Sequence, residues 1–487
     1  MGLLTSPTGR RMMDGTARIF LAELLFPVTA LITTGYLTRQ FGPHGYGVLA
    51  LALTTIIWIE SAIASFFARA TIKFVGETSD WRPAGAMIAR LSLRVGIVAM
   101  VLVWFLASPL SVLLSVPELV FYLRVAAIDI PLFCLGQAYR SMLIGSGNYQ
   151  GGAVARAGRW LTRMCLSLAL VAGGFSITGA LMGVIGASIA EIWLSLQYLG
   201  WGIFRNQPRV PVPIRRYGAL LFLSSFSFII CNGMDLFMLK ILGGTARDAG
   251  IYSAAQSLSL LPGLFSLTFS SLLLATLSRY LADRQHDRAK DLVQDAMRVT
   301  LWLIPIAAII VGAAPEIVEI VFGSAFSPAG SLLSLLIVGG VANVMFTLAL
   351  TVMTADGHPG RTVLFSVPFI PLALVGHLIM IPRFGQLGAA IVTVGVSLLS
   401  ASVAVRSISI PWKVLPPLGT FLRSVVIALV LGIVSMYWPT PGVFVFVKLI
   451  ALGTFGFLSY WWTGEFRQDE IAVVRSLVLP KSEVRLR

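Results

Sequence analysis

Residues 19–37, IFLAELLFPVTALITTGYL, form an apolar run long enough to cross a bilayer as one helix. The segment behind it, RQFGPHGYGVLALALT (39–54), turns on glycine and proline and opens a second apolar run. Apolar run, short glycine-rich connector, apolar run: this alternation continues to the end of the chain. Fourteen candidate spans follow, with cores near 17–38, 47–70, 92–114, 119–141, 160–178, 181–203, 217–241, 251–277, 297–314, 330–354, 362–381, 386–407, 418–437 and 442–462. Only residues 176–179 divide the fifth from the sixth. With 57% apolar and 12% charged residues, a chain of this length has too little polar surface to face water, so lipid is its solvent. The expected fold is all-α and integral to the membrane. The first run has no small-residue cleavage site after it and reads as an uncleaved first helix.

Charge supplies an independent check on the helix count. With the N-terminus placed inside and the connectors taken alternately, only Arg39, Lys240, Arg247 and Arg383 fall outside, while Arg124 and Lys448 fall within spans. The rest of the 36 Lys and Arg residues lie inside, as the positive-inside rule requires. One missed span would scramble the pattern from that point onward, so both termini are expected in the cytoplasm. A formal charge of +15 is therefore topology signal, and nucleic acid is not an expected partner. Cys134, Cys165 and Cys231 sit singly in apolar runs, and His44, His286, His358 and His377 are scattered; neither set has metal-ligand spacing. No cofactor is expected. The stretch RYLADRQHDRAKDLVQDAMR (279–298) reads as an amphipathic helix lying in the interface.

The chain repeats itself at an offset of about 205–210 residues. RQFGPHGYGVLALALT (39–54) matches ILGGTARDAGIYSAAQS (241–257), with Tyr46 against Tyr252. MLIGSGNYQGGAVARAG (142–158) matches VMTADGHPGRTVLFSV (352–367), and ITGALMGVIGASI (177–189) matches RFGQLGAAIVTVG (383–395). An offset spanning six helices makes the repeat parallel, with its axis along the membrane normal and a cavity between the two halves. The expected organisation is a cytoplasmic tail (1–16), a six-helix lobe (17–204), a cytoplasmic linker (205–216), a second six-helix lobe (217–407), two further helices (408–462) and a cytoplasmic tail (463–487).

The loop GPHGYGVLALAL (42–53) resembles the signature loop of polysaccharide flippases, where Gly-Pro-x-x-Tyr-Gly recurs between the first two helices. APEIVEIVFGSAFSPAGSLLSLL (314–336) and TADGHPGR (354–361) are similar to segments of the second half of those proteins. The family is the Wzx-like polysaccharide-transport branch of the multidrug/oligosaccharidyl-lipid/polysaccharide exporter superfamily. The resemblance implies a V-shaped pair of lobes at the bacterial inner membrane. It also implies translocation of an undecaprenyl-diphosphate-linked oligosaccharide to the periplasmic leaflet, for exopolysaccharide, capsule or O-antigen. Membrane lipids, a polysaccharide polymerase and a chain-length regulator are the implied partners. Two relatives in the superfamily compete: a cation-coupled drug or metabolite antiporter, and a peptidoglycan-precursor flippase. An integral-membrane enzyme is disfavoured because every outside loop is short and no nucleophile–base pair appears.

An ionisable side chain at mid-span is opposed by at least ~2.5–3.5 kcal/mol, so each is a functional candidate. The substrate-binding candidates are Glu23, Glu60, Arg124, Asp129, Asn232, Asp235, Lys240 and Gln256, with Gln137, Asn343 and His377 as softer ones. Arg124 is the first choice for the diphosphate, because a guanidinium chelates phosphate oxygens in a fork. It stands in the outer third of its span, where the alternative is snorkelling to the interface. Glu60, Glu191 and Asp235 are candidates for ion coupling; the alternative is a protonated carboxyl bonded to a neighbouring helix. Arg69 with Lys73 and Arg90 with Arg94 are i,i+4 pairs that either gather the anionic headgroup at the cytoplasmic mouth or contact anionic lipid.

Overall fold

The computed structural model describes residues 7–77, 80–200, 233–357 and 365–465. Nine continuous helical stretches among them are long and apolar enough to cross a membrane. Three of the nine fold back on a glycine with positive φ. Pro7–Glu77 reverses at Gly42 into α1 (7–41) and α2 (43–77). Tyr149–Leu199 reverses at Gly174 into α5 (149–175) and α6 (176–199). Phe369–Trp412 reverses at Gly385 into α11 (369–384) and α12 (386–412). At these points the chain needs a left-handed residue, which only glycine supplies without strain. The remaining passes are α3 (Arg82–Leu113), α4 (Leu119–Gly145), α8 (246–282), α9 (His286–Phe322), α10 (Ala329–Ala355), α13 (Leu418–Tyr437) and α14 (Phe444–Trp462). Of α7, the described part is Met234–Ile241. The linker at 205–216, the start of the seventh span, Asn232, Cys231, residues 1–6 of the N-terminal tail and residues 466–487 of the C-terminal tail lie outside the described residues. Exposed Leu102, Phe105, Leu422, Ile433 and Ile450 form the lipid-facing surface that the composition demands.

The apolar runs mark where helices touch lipid, and the helices themselves extend further. α3 starts at Arg82 rather than near 92, and α5 at Tyr149 rather than 160. The α5 start is fixed by Gly147, with φ +81°, and by Asn148, whose side chain accepts from the Gly151 N–H at 2.9 Å. The expected interfacial helix at 279–298 is corrected likewise. Its first residues finish α8, and the rest opens α9. Ala289, Val293, Ala296 and Met297 bury against Leu273, Leu277 and Phe346 of α8 and α10, so that amphipathic face serves the protein interior.

Among the described residues, the two lobes are joined at one end only. At the end carrying the α1–α2 and α7–α8 turns, one apolar core runs through both lobes, from Leu37, Tyr46 and Leu49 to Ile251, Tyr252 and Phe322. At the opposite end the cores are separate, one around Val75, Tyr139 and Met142, the other around Leu277, Val293 and Phe346. The joint is backbone against backbone. A Cβ on Gly47 would lie 1.8 Å from the Ala246 carbonyl oxygen, and one on Gly250 would lie 1.9 Å from the Pro43 carbonyl oxygen. Residues 246 and 250 thus take the places of 43 and 47 about a pseudo-twofold axis, a register three residues short of the Tyr46–Tyr252 match. Trp58 against Phe237 (4.6 Å between centroids) and Tyr46 against Phe326 (6.1 Å) flank it. Arg39 adds a hydrogen bond to the Ile320 carbonyl.

α13 and α14 lie on the outside of α9, through Ile309, Ile427, Leu431, Leu452 and Tyr460. A buried ion pair fastens them: Lys448 Nζ donates to Glu316 Oε2 at 2.8 Å, and Glu316 also accepts from the Thr440 N–H and hydroxyl.

Candidate functional site

The first lobe encloses a cavity of about 540 Å³ lined by α1, α2, α4 and α5. It runs from Leu37 and Tyr46 near the closed end to Phe26, Arg140 and Arg156 farther down. Arg156, Arg159 and Arg163 are spaced at i, i+3 and i+7 along α5, which places them on one helical face, and all three line the cavity with Arg140 of α4. Thr29, Thr33, Thr34, Ser61 and Gln137 supply hydroxyl and amide groups to the same walls.

The four arginines differ in what holds them. Arg159 is buried. It donates to Glu191 Oε2 at 2.9 Å and to Ser188 at 3.0 Å, and its guanidinium lies over the Phe133 ring. Arg140 donates from Nε to the other Glu191 oxygen at 2.9 Å and also contacts Gln137. Glu191 of α6, fully buried, therefore locks two arginines from two helices. Arg156 donates to Glu23 Oε1 of α1 at 2.9 Å and stacks on Trp160, whose ring meets Phe26. Arg163 has no hydrogen-bond partner among the described residues. Glu60 lines the cavity opposite, and Asp129 sits 4.0 Å from Arg159; Glu60 Oε1 and both Asp129 oxygens are buried with no hydrogen bond among the described residues.

The second lobe holds one buried carboxylate in a neutral setting. Asp235 of α7 accepts from the Tyr252 hydroxyl at 2.7 Å, from the Thr393 hydroxyl at 3.1 Å, from Gln256 at 3.1 Å and from the Leu236 N–H at 2.9 Å. Beside it a small cavity, about 60 Å³, is lined by Asn343, His377, Thr393 and Ser397. Buried His377 presents an Nδ1 with no partner among the described residues.

The structure therefore gathers Glu23, Glu60, Asp129 and Glu191 around the arginine stripe, and Asp235 with Gln256 in the second lobe. Arg124 stands apart, against Trp104 with 5.6 Å from guanidinium to ring, and is not among the cavity-lining residues. Lys240 caps its own turn by donating to the Gly244 carbonyl at 2.9 Å. Arg90 and Arg94 ride on α3; the side chains of Arg69 and Lys73, like Asn232, lie outside the described residues. Arg140, Arg156, Arg159 and Arg163 escape the sequence reading because all four are counted as inside charges: Arg156 and Arg159 precede the run placed at 160–178, and Arg140 and Arg163 stand at the inner ends of the runs at 119–141 and 160–178. Gly147-Asn148, a turn followed by a cap, is the signal that moves the start of α5 back and puts Arg156, Arg159 and Arg163 on its face.

Comparison with known proteins bears on both lobes. The profile of the polysaccharide biosynthesis protein family matches residues 36–330, and that of the lipid II flippase MurJ matches residues 222–453. The "Probable flippase AglR" of Haloferax volcanii is 24% identical over 94% of this chain and 97% of its own. The succinoglycan biosynthesis transport protein ExoT of Rhizobium meliloti is 25% identical over 63% of this chain and 61% of its own. Among solved structures, lipid II flippase MurJ in an inward closed conformation superposes with a TM-score of 0.74 at 15% identity, covering 93% of this chain and 99% of that one. The helical hairpins, the two lobes joined at one end and the sequence match thus agree: the chain belongs to the polysaccharide biosynthesis protein family, in the polysaccharide-flippase branch of the multidrug/oligosaccharidyl-lipid/polysaccharide exporter superfamily.

Proposed function

We propose that the protein carries an undecaprenyl-diphosphate-linked oligosaccharide from the cytoplasmic to the periplasmic leaflet of the bacterial inner membrane, by alternating access of its two lobes. The observation that carries this reading is the arginine face of α5 inside the first-lobe cavity. A diphosphate needs forked cationic donors in a site shielded from bulk water, and Arg156 and Arg163 offer them. The hydroxyl and amide groups around them suit sugar hydroxyls, while the polyprenyl chain stays in lipid. The charge bias of the connectors supports both termini in the cytoplasm; in that orientation the joined end of the lobes faces the periplasm and the cavity faces the cytoplasm. Transport requires the Gly47–Gly250 joint to part and the opposite ends to meet.

Asp235 is the coupling group in this proposal. Its partners in the second lobe are neutral donors, so a proton or small cation bound there changes the charge balance of that lobe as it moves. The product is handed to a polymerase and a chain-length regulator, and no bond is made or broken by the chain itself.

The test is deletion of the gene in its host, with assay of lipid-linked oligosaccharides and surface polysaccharide. Loss of polymer with undecaprenyl-diphosphate oligosaccharide trapped on the cytoplasmic leaflet is expected, and complementation by Arg163→Ala should fail. Unchanged polysaccharide and intermediates, with new sensitivity to small cationic compounds, would transfer the assignment to a drug antiporter.

A further inference from the structure

We infer that Glu23 is a displaceable internal counterion, a carboxylate that occupies Arg156 until the substrate's phosphate replaces it, and so sets affinity and release. The inference rests on the proposed function.

Three acids, Glu191, Asp129 and Glu23, pair with the arginines of the cavity, and they are not alike. Glu191 and Asp129 side chains are 0% and 1% exposed, and each faces a guanidinium that is itself largely enclosed. Those contacts are scaffold: removing a buried partner leaves an uncompensated charge. The Glu23–Arg156 bridge is different. Its side chains are 33% and 19% exposed, and the bond joins two helices, α1 and α5, at the end of the cavity away from the lobe joint. A single bond links them, Nε to Oε1 at 2.9 Å, in a setting where water and ions screen the attraction.

Arg156 does not depend on Glu23 for its place. Its guanidinium carbon lies 4.6 Å over the Trp160 ring, and Trp160 is backed by Phe26 at 4.5 Å. Phe26 stands three residues beyond Glu23 on the same helix, so the aromatic pair stays when the carboxylate swings away. A phosphate oxygen arriving at the mouth therefore finds an oriented guanidinium whose present ligand is an anion of similar geometry. Exchange of one oxyanion for another keeps the Arg156 guanidinium paired at every stage. Arg163, two helical turns deeper and about 10 Å farther along the axis, receives the headgroup next, and Glu23 re-forms its bond behind it. By this account Glu23 weakens binding and speeds the cycle, the reverse of a ligand.

The purified protein in lipid nanodiscs is titrated with undecaprenyl diphosphate, and transport is followed in proteoliposomes. Glu23→Gln and Glu23→Ala are each expected to bind roughly three- to tenfold more tightly than the wild type while turning over more slowly. Arg156→Ala is expected to lose affinity. Wild-type binding that Arg156→Ala abolishes but both Glu23 variants leave unchanged or weaken would overturn the counterion role and leave the proposed function standing. No binding by the wild type would remove the proposed function itself. If neither Glu23 variant yields folded protein, the bridge is scaffold and the inference fails.

Discussion

Gly250→Ala tests how the two lobes meet. The added Cβ would stand 1.9 Å from the Pro43 carbonyl oxygen and 2.9 Å from the Gly47 nitrogen, and ordinary contact begins at 3.4 Å. These neighbours are backbone atoms of a helix start, which cannot rotate aside, so α8 and α2 must separate by about 1.5 Å. Overpacking of this kind opposes the joined state by about 1–3 kcal/mol, which shifts the balance between closed and open lobes by roughly five- to 150-fold. Helix propensity works the other way, since alanine is the better helix former by about 1 kcal/mol, so a defect cannot be blamed on a weakened helix. In a cysteine-free background with one cysteine at Leu53, which lines the cavity, a membrane-impermeant maleimide added from the periplasmic side reports the opening. Labelling should rise in Gly250→Ala and in Gly47→Ala, with transport reduced in both. Wild-type labelling and normal transport in both variants would refute the backbone joint.

The arginine stripe should divide on mutation. Arg163→Ala is expected to fold normally and to bind undecaprenyl diphosphate at least about tenfold more weakly, as for loss of a hydrogen bond to a charged group. Arg159→Ala strips buried Glu191 of a partner and should lose about 3–5 kcal/mol of stability, visible as a loss of monodisperse protein on size-exclusion chromatography. Lys448→Ala should lower the melting temperature in detergent by leaving Glu316 without its cation, while Glu316→Gln combined with Lys448→Met should recover most of the loss. Asp235→Asn keeps a side chain of the same shape and should abolish the response of transport to an imposed proton or sodium gradient with little change in protein level. A mutant that still follows the gradient would move coupling to Glu60.

The membrane architecture was legible because two independent signals, apolar length and alternating charge, agree on it. The pseudo-symmetric joint was legible in outline from the matched loops at 39–54 and 241–257; its register was not, since loose glycine-rich matches tolerate a three-residue slip. The acidic half of the site could be found because a carboxyl at mid-span stands out against apolar neighbours, as Glu23, Glu60 and Glu191 do. The basic half was hidden by the same reasoning. Arg140, Arg156, Arg159 and Arg163 lie near the ends of the apolar runs, where arginine is expected for topology, and nothing in hydropathy separates a cation facing lipid headgroups from one facing a cavity. Arg124 shows the converse, since its place within an apolar run gives it prominence while the structure sets it against Trp104, away from the cavity lining.

The lobe joint also has a consequence for biosynthesis. Because Pro43 and Gly47 stand to each other as Ala246 and Gly250 do, the first lobe carries both the close-approach glycine and the carbonyl that meets it. Translation at about 5–20 residues per second leaves this face unpaired for several seconds after α6 emerges. A nascent or truncated first lobe is therefore self-complementary, able to pair with a second copy of itself about the axis that later relates the two halves. Such an isologous pair is also the form in which a single-lobe ancestor, before duplication joined the halves in one chain, would have assembled.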